Sequence, residues 1–217
     1  HIYQHKICVF TLSSNIRKIL FIVFCKIYFI IYREFNLNIN NLINISIEGL
    51  KTIKEERFYY TERGYQGRLY CSLQSKLDSL EVPERAIIEM EYQKSSRHGM
   101  TQRPDIVIHI PAEFNDLEVN EGNFVVFALK KKANKEKAKE DFDKLDEMFE
   151  SLRYQYGFFI NISSQKHFLE YYDGQYKDKI HSFAVNLIEN SIFIKHAYWK
   201  NGEFFTKEYN DNQDDFV

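Results

Sequence analysis

This chain of 217 residues lacks most of the features that would announce a specialised class. Its three cysteines, Cys8, Cys25 and Cys71, are scattered and form no Cys-x-x-Cys pair. That argues against a disulfide framework or a cysteine zinc site, and it fits a reducing, cytoplasmic compartment. With three prolines, the composition is that of a globular protein and not of a fibrous material. The formal net charge is -2, so no global basic character points to nucleic acid, and any surface for anions has to be a local patch. No Gly-rich phosphate loop of Walker type is present, so use of ATP is not indicated. Nor does any Ser/His/Asp arrangement have supporting context. What remains is a length sufficient for one well-buried domain with an elaboration, or for two small ones.

Three regions follow from the patterning: 1–54, 55–163 and 164–217. The first has no proline, one glycine (Gly49), and an apolar run from Ile19 to Tyr32 broken only by Lys26. A membrane span needs about 20 apolar residues. This run is shorter, carries a lysine in its middle and lacks a small-residue cleavage site. A helix or strand pair packed on the core is the expectation; a marginal membrane anchor and a stretch foreign to the folded protein are the alternatives. Asn36 to Asn44 reads as a loop or linker.

From Lys51 the sequence becomes ordinary globular sequence. Thr61 is an N-cap candidate for a helix whose core face is Leu69, Leu73, Leu77 and Leu80. Gly64 and Gly67 in its first turns cost about 1 kcal/mol each relative to alanine, which implies that something approaches closely there. Glu62 stands at the head of this helix. Ala86 to Tyr92 reads as a strand, with Ile88, Met90 and Tyr92 on one face and Glu89, Glu91 and Gln93 on the other. The polar loop Lys94 to Gln102 follows, carrying Arg97 and His98. Asp105 to Ile110 alternates as a strand, with Asp105, Val107 and His109 on one face, and an acidic loop leads to the apolar strand Phe124 to Leu129. Ala133 to Tyr154 is a helix with the stripe Phe142, Leu145, Phe149 and Leu152, capped by Gly157. Phe158 to Ile162 returns as a strand. Beyond it come a short helix (165–172) and three strand-like runs, with Asn201-Gly202 as a hairpin turn. The expected fold class is α/β, a mixed sheet flanked by helices.

The chemistry concentrates between Arg103 and Lys132. Pro104-Asp105 opens one strand, and Ala128-Leu129-Lys130 ends the next, where Ala128 and Lys130 share a face. This resembles the PD-(D/E)xK nuclease superfamily, with Pro104-Asp105 as the first half of the signature and Ala128 where its Glu belongs. The order helix, three strands, helix, strand matches the αβββαβ restriction-endonuclease-like core that the resemblance implies. It implies metal-assisted phosphodiester hydrolysis, with Asp105, the acid expected at 128 and the Leu129 carbonyl holding Mg²⁺ (Mn²⁺ substituting) and with Lys130 orienting the attacking water. Glu62 and Glu91 are candidate further carboxylates at such a site. Lys131, Lys132, Arg97 and Lys144 are candidate phosphate contacts for nucleic acid, DNA before RNA. A homodimer would supply two sites for cutting both strands, and restriction or antiviral defence is the expected setting by analogy. Alanine at 128 reads as an inactivating Glu→Ala change, as natural loss of catalysis leaving a binding or interaction module, or as a motif match without the chemistry.

Overall fold

The computed structural model describes residues 38–77, 85–91, 103–111 and 122–211, all belonging to one compact unit, Leu37–Val217. The apolar run 19–32, the loop bearing Arg97 and His98, most of the acidic loop, Leu80 and the last six residues lie outside the described residues.

Helix α1, Ile39–Lys51, corrects the linker expected over Asn36 to Asn44. The Asn38 side chain accepts from the Asn40 and Asn41 N–H groups, and Leu42, Ile45 and Leu50 recur on a buried face. Asparagine bonds nearby backbone N–H groups readily, and that property serves a helix start as well as a loop. Because Leu42, Ile45, Leu50 and Ile53 are core residues, the boundary expected at 54 does not separate this helix from the rest. After a 3-10 turn, Glu56–Tyr60, Thr61 caps α2, Glu62–Gln74, by accepting from the Gly64 N–H at 3.0 Å. A Cβ on Gly64 would stand 2.8 Å from the Thr61 hydroxyl oxygen, whereas Gly67 has nothing within 4 Å. The close approach expected at both glycines therefore exists at Gly64 alone, and the neighbour is the cap itself.

Among the described residues seven strands form one mixed sheet in sequential order: β1 Ile87–Met90, β2 Ile106–His109, β3 Asn123–Lys131, β4 Tyr156–Ile162, β5 Ile180–Ile188, β6 Ser191–Lys200 and β7 Glu203–Asn210. The β3–β4 and β4–β5 pairs are parallel and the others antiparallel. The crossover from β3 to β4 carries α3, Lys135–Leu152, capped by Asn134. Its C-cap is Arg153, at φ 55°, and not Gly157. Gly157 belongs to β4, where a Cβ would lie 2.7 Å from the Phe149 ring, so its missing side chain serves helix–sheet packing. The stripe Ala138, Phe142, Leu145, Phe149 and Leu152 packs on Val107, Val126 and Phe159, one face of the sheet. The other face takes the Glu56–Tyr60 turn, whose Tyr60 carbonyl accepts from Lys131 Nζ at 2.6 Å, together with α1 and α2.

Beyond β4 the helix expected over 165–172 shrinks to a 3-10 turn, Leu169–Tyr171. The remaining strands extend the same sheet, so 164–217 is not a separate layer. Asn201 and Gly202 both take positive φ (53° and 80°), the two-residue hairpin turn read from the sequence. Among the described residues no helix is long and apolar enough to cross a membrane.

Candidate active site

The site arises from a mismatch in strand length. β2 pairs with β3 from Ile106↔Phe127 back toward Asn123, but β3 runs on to Lys131. One step beyond the last pair, Asp105 stands opposite Ala128, on the sheet face that α3 covers. From Ala128 onward no described strand pairs with this edge of β3. Its outward N–H groups still need acceptors, since unpaired backbone groups away from water are costly. Two carboxylates supply them: Asp105 Oδ2 accepts from the Leu129 N–H at 2.6 Å, and Glu62 Oε2 accepts from the Lys131 N–H at 2.9 Å. In a strand the N–H and C=O of one residue face the same edge. The Leu129 carbonyl thus lies between the two anchored carboxylates, and Glu62 Oε1 also reaches Lys130 Nζ at 3.5 Å.

Helix α2 sets this geometry. Thr61 begins it, so Glu62 occupies the first turn and points at the end of β3, while Gln66 one turn later donates to the Asp105 carbonyl at 2.6 Å. The same carbonyl accepts from the Glu91 N–H at 2.9 Å. Asp105 is thereby fixed through its main chain as well as its side chain.

Electrostatically the site sets the Asp105, Glu62 and Asp141 carboxylates around the Lys130 ammonium, with Lys144 paired to Asp141. Burial pushes the Asp105 carboxyl up to about 6; the Leu129 bond and Lys130 oppose that rise, and the Glu62 and Asp141 carboxylates add to it. At Lys130 burial works against the charged form, but Asp141, Glu62 and Asp105 outweigh it and hold its pKa above the ordinary lysine value. Asp141 escaped the sequence reading. It is 4% exposed, accepts from Lys144 Nζ at 2.7 Å through Oδ1, and has no hydrogen-bond partner for Oδ2 among the described residues. The signal was present: Asp141 sits between Ala138 and Leu145 at helical spacing, an acid inside the apolar stripe. Gln66, also buried, was missed in the same way.

The structure brings together Asp105, Ala128, Leu129, Lys130 and Glu62. It does not bring the Glu91 carboxylate to them: Glu91 has φ 50°, which ends β1, and its side chain pairs with Arg63 at 3.3 Å. Glu89 and His109 pair with each other at 2.6 Å toward the opposite end of β2. Lys144 is engaged by Asp141, so it is a partner of the site's acid and not an open phosphate contact. Lys131 is turned to the Tyr60 carbonyl, and Lys132, at φ 49°, is exposed. An open cavity of about 400 Å³, bounded by Tyr60, Lys131, Lys132, Ser163 and Asn186, lies on the sheet face opposite the one that α3 covers, and none of Asp105, Ala128, Leu129, Lys130 and Glu62 lines it.

The donor set suits a hard divalent ion, which takes carboxylate and carbonyl oxygens. Asp105, Glu62 and the Leu129 carbonyl are oxygen donors on one edge, and the Glu62 and Asp141 carboxylates add to the rise that burial imposes on the Asp105 pKa, a repulsion that a cation would offset. Among the described residues no three His, Cys, Asp or Glu side chains form a metal cage, and position 128, opposite Asp105, carries alanine. No family model matches the chain, and no curated protein or solved structure matches it either.

Proposed function

We propose that the chain is a metal-dependent phosphodiester hydrolase of the PD-(D/E)xK type whose site is one acid short at Ala128. One observation carries the reading: Asp105 and Glu62 bind alternate N–H groups on the open edge of β3, with the Leu129 carbonyl between them and Lys130 alongside. The order α2, β1, β2, β3, α3, β4, with β4 parallel to β3, supports a restriction-endonuclease-like core.

In this reading Asp105, Glu62 and the Leu129 carbonyl hold Mg²⁺ or Mn²⁺. The ion supplies Lewis acidity and neutralises charge at the phosphodiester. Lys130 holds the attacking water and donates to the phosphate oxygens that gain charge as it adds. Glu62 and Asp141 keep that ammonium charged, and Lys132, exposed just past the end of β3, contacts a flanking phosphate. With alanine at 128 the ion is bound weakly and turnover falls by orders of magnitude, while binding of nucleic acid, DNA before RNA, survives.

The test is Ala128→Glu, assayed with Mg²⁺ or Mn²⁺ on plasmid, single-stranded DNA and RNA. Cleavage that appears with Glu at 128 and vanishes when Asp105→Ala is added supports the reading; no cleavage on any substrate overturns it. Ala128 itself favours a second reading, a nuclease-like nucleic-acid-binding or protein-interaction module without catalysis. Binding by the unmodified chain that weakens steeply with salt distinguishes the nucleic-acid binder from the plain interaction module.

A further inference from the structure

The sheet has two edges, and they are treated differently. β1 is four residues long, and a very short edge strand is one of the devices that discourage further pairing. β7 is eight residues long, pairs with β6 through eight consecutive positions without a register shift, and contains no proline. Every residue from Glu203 to Glu208 is exposed, and Phe204 and Phe205 are each 36% exposed. Among the described residues no strand pairs with this long, unbroken edge, which bears two phenylalanines beside the charges of Glu203, Lys207 and Glu208.

The hydrogen-bonding phase of this edge follows from the turn. Asn201-Gly202 is a two-residue turn, so Lys200 and Glu203 close the hairpin as a hydrogen-bonded pair. Glu203, Phe205, Lys207 and Tyr209 therefore direct their N–H and C=O groups toward β6. Phe204, Thr206 and Glu208 direct theirs to the free edge. We propose that this edge joins two copies of the chain, β7 pairing antiparallel with β7 of a second copy about a two-fold axis at Phe205.

Charge selects that register. A two-fold at Lys207 would set Lys207 directly against its own copy, which is unfavourable. A two-fold at Thr206 sets Lys207 against Phe205 and Phe204 against Glu208. With the axis at Phe205, Phe205 meets Phe205 and each Glu203 faces Lys207 of the other copy. All of these fall in non-hydrogen-bonded pairs, where side chains come closest. Phe204 and Thr206 of the two copies exchange main-chain bonds. The pairing rests on strand chemistry alone and stands or falls independently of the catalytic reading.

Sedimentation velocity of the full chain from ~1 to ~100 μM is the test, since association responds to protomer concentration. A dimer is expected. Thr206→Pro removes one free-edge donor while leaving the β6-facing groups of Glu203, Phe205, Lys207 and Tyr209 in place, and it should give a monomer. Lys207→Glu sets Glu against Glu203 of the other copy twice, and should weaken the dimer by ~10-fold; adding Glu203→Lys should restore it. This exchange series also keeps the proposal testable if the proline variant fails to fold. A monomer at every concentration, a dimer indifferent to Thr206→Pro in folded protein, or a charge exchange without rescue overturns it.

Discussion

Replacing Asp105 by asparagine should stabilise the protein at neutral and alkaline pH while destroying the proposed metal site. The carboxyl titrates at about 6 in the folded chain against an ordinary 3.8, with burial as the largest cause. Between those two values the folded state binds more protons than the unfolded one, so this group's contribution to stability falls as pH rises. It is neutral below the unfolded pKa and reaches its full cost above the folded pKa. A shift of two units corresponds to about 3 kcal/mol at pH 8, and about half of that remains at pH 5. Relaxation and water entry reduce the net value toward about 1–2 kcal/mol. Asparagine keeps an acceptor for the Leu129 N–H, so the strand edge stays satisfied. Urea unfolding of the parent and Asp105→Asn at pH 8 and pH 5 measures the difference. The variant should be more stable at pH 8, with the gap narrowing at pH 5. Saturating Mn²⁺ should stabilise the parent more than the variant, and more again with Ala128→Glu. An Asp105→Asn protein less stable than the parent at pH 8, or a gap that does not change with pH, refutes the electrostatic reasoning.

Three other perturbations test separate parts of the fold. Burial holds His181 down at about 4 and His196 at about 2, so the unfolded state binds more protons below the ordinary 6.5 and stability should fall as pH drops through that value; His196→Phe, which can keep the stack on Phe183, should flatten the loss in pH-dependent melting curves. Gly157→Ala drives a methyl to 2.7 Å from the Phe149 ring, and equilibrium unfolding should show a cost of about 1–3 kcal/mol. Asn161, fully buried, accepts from the Ala133 N–H at 2.9 Å and donates to the Lys166 carbonyl at 2.8 Å, so Asn161→Ala should cost about 1–3 kcal/mol in urea melts and loosen the turn after Lys130–Lys132.

Much of the site was legible because strand patterning is local. Asp105 and Lys130 were recognisable as neighbours across two strands, and Thr61 announced the helix that carries Glu62. The errors have a common origin in contacts distant along the chain. Gly157 follows a helix, where glycine ordinarily serves as a cap, but its role is set by Phe149 across the packed face and Arg153 makes the left-handed turn instead. Glu91 was assigned by extending a two-residue period through a position whose φ of 50° breaks it. Asp141 goes unmarked among the charged positions of α3, yet it lies within the buried stripe.

Asp141 also shows why the gap at Ala128 could be seen in the sequence but its surroundings could not. The resemblance implies only that an acid would stand at position 128 of β3. Register places that gap opposite Asp105, and packing puts α3 above it. The charge that remains, two carboxylates on the strand edge and one on the helix, with Lys130 and Lys144 as their ammonium partners, is an arrangement assembled from three elements. An interaction module has no need of that convergence, since buried carboxylates near one another raise the cost of folding. A site for a divalent cation does need it, because the ion offsets the repulsion. Of the three carboxylates one is left without an ammonium of its own, and that is the charge the proposed hydrolase would offset with its cation.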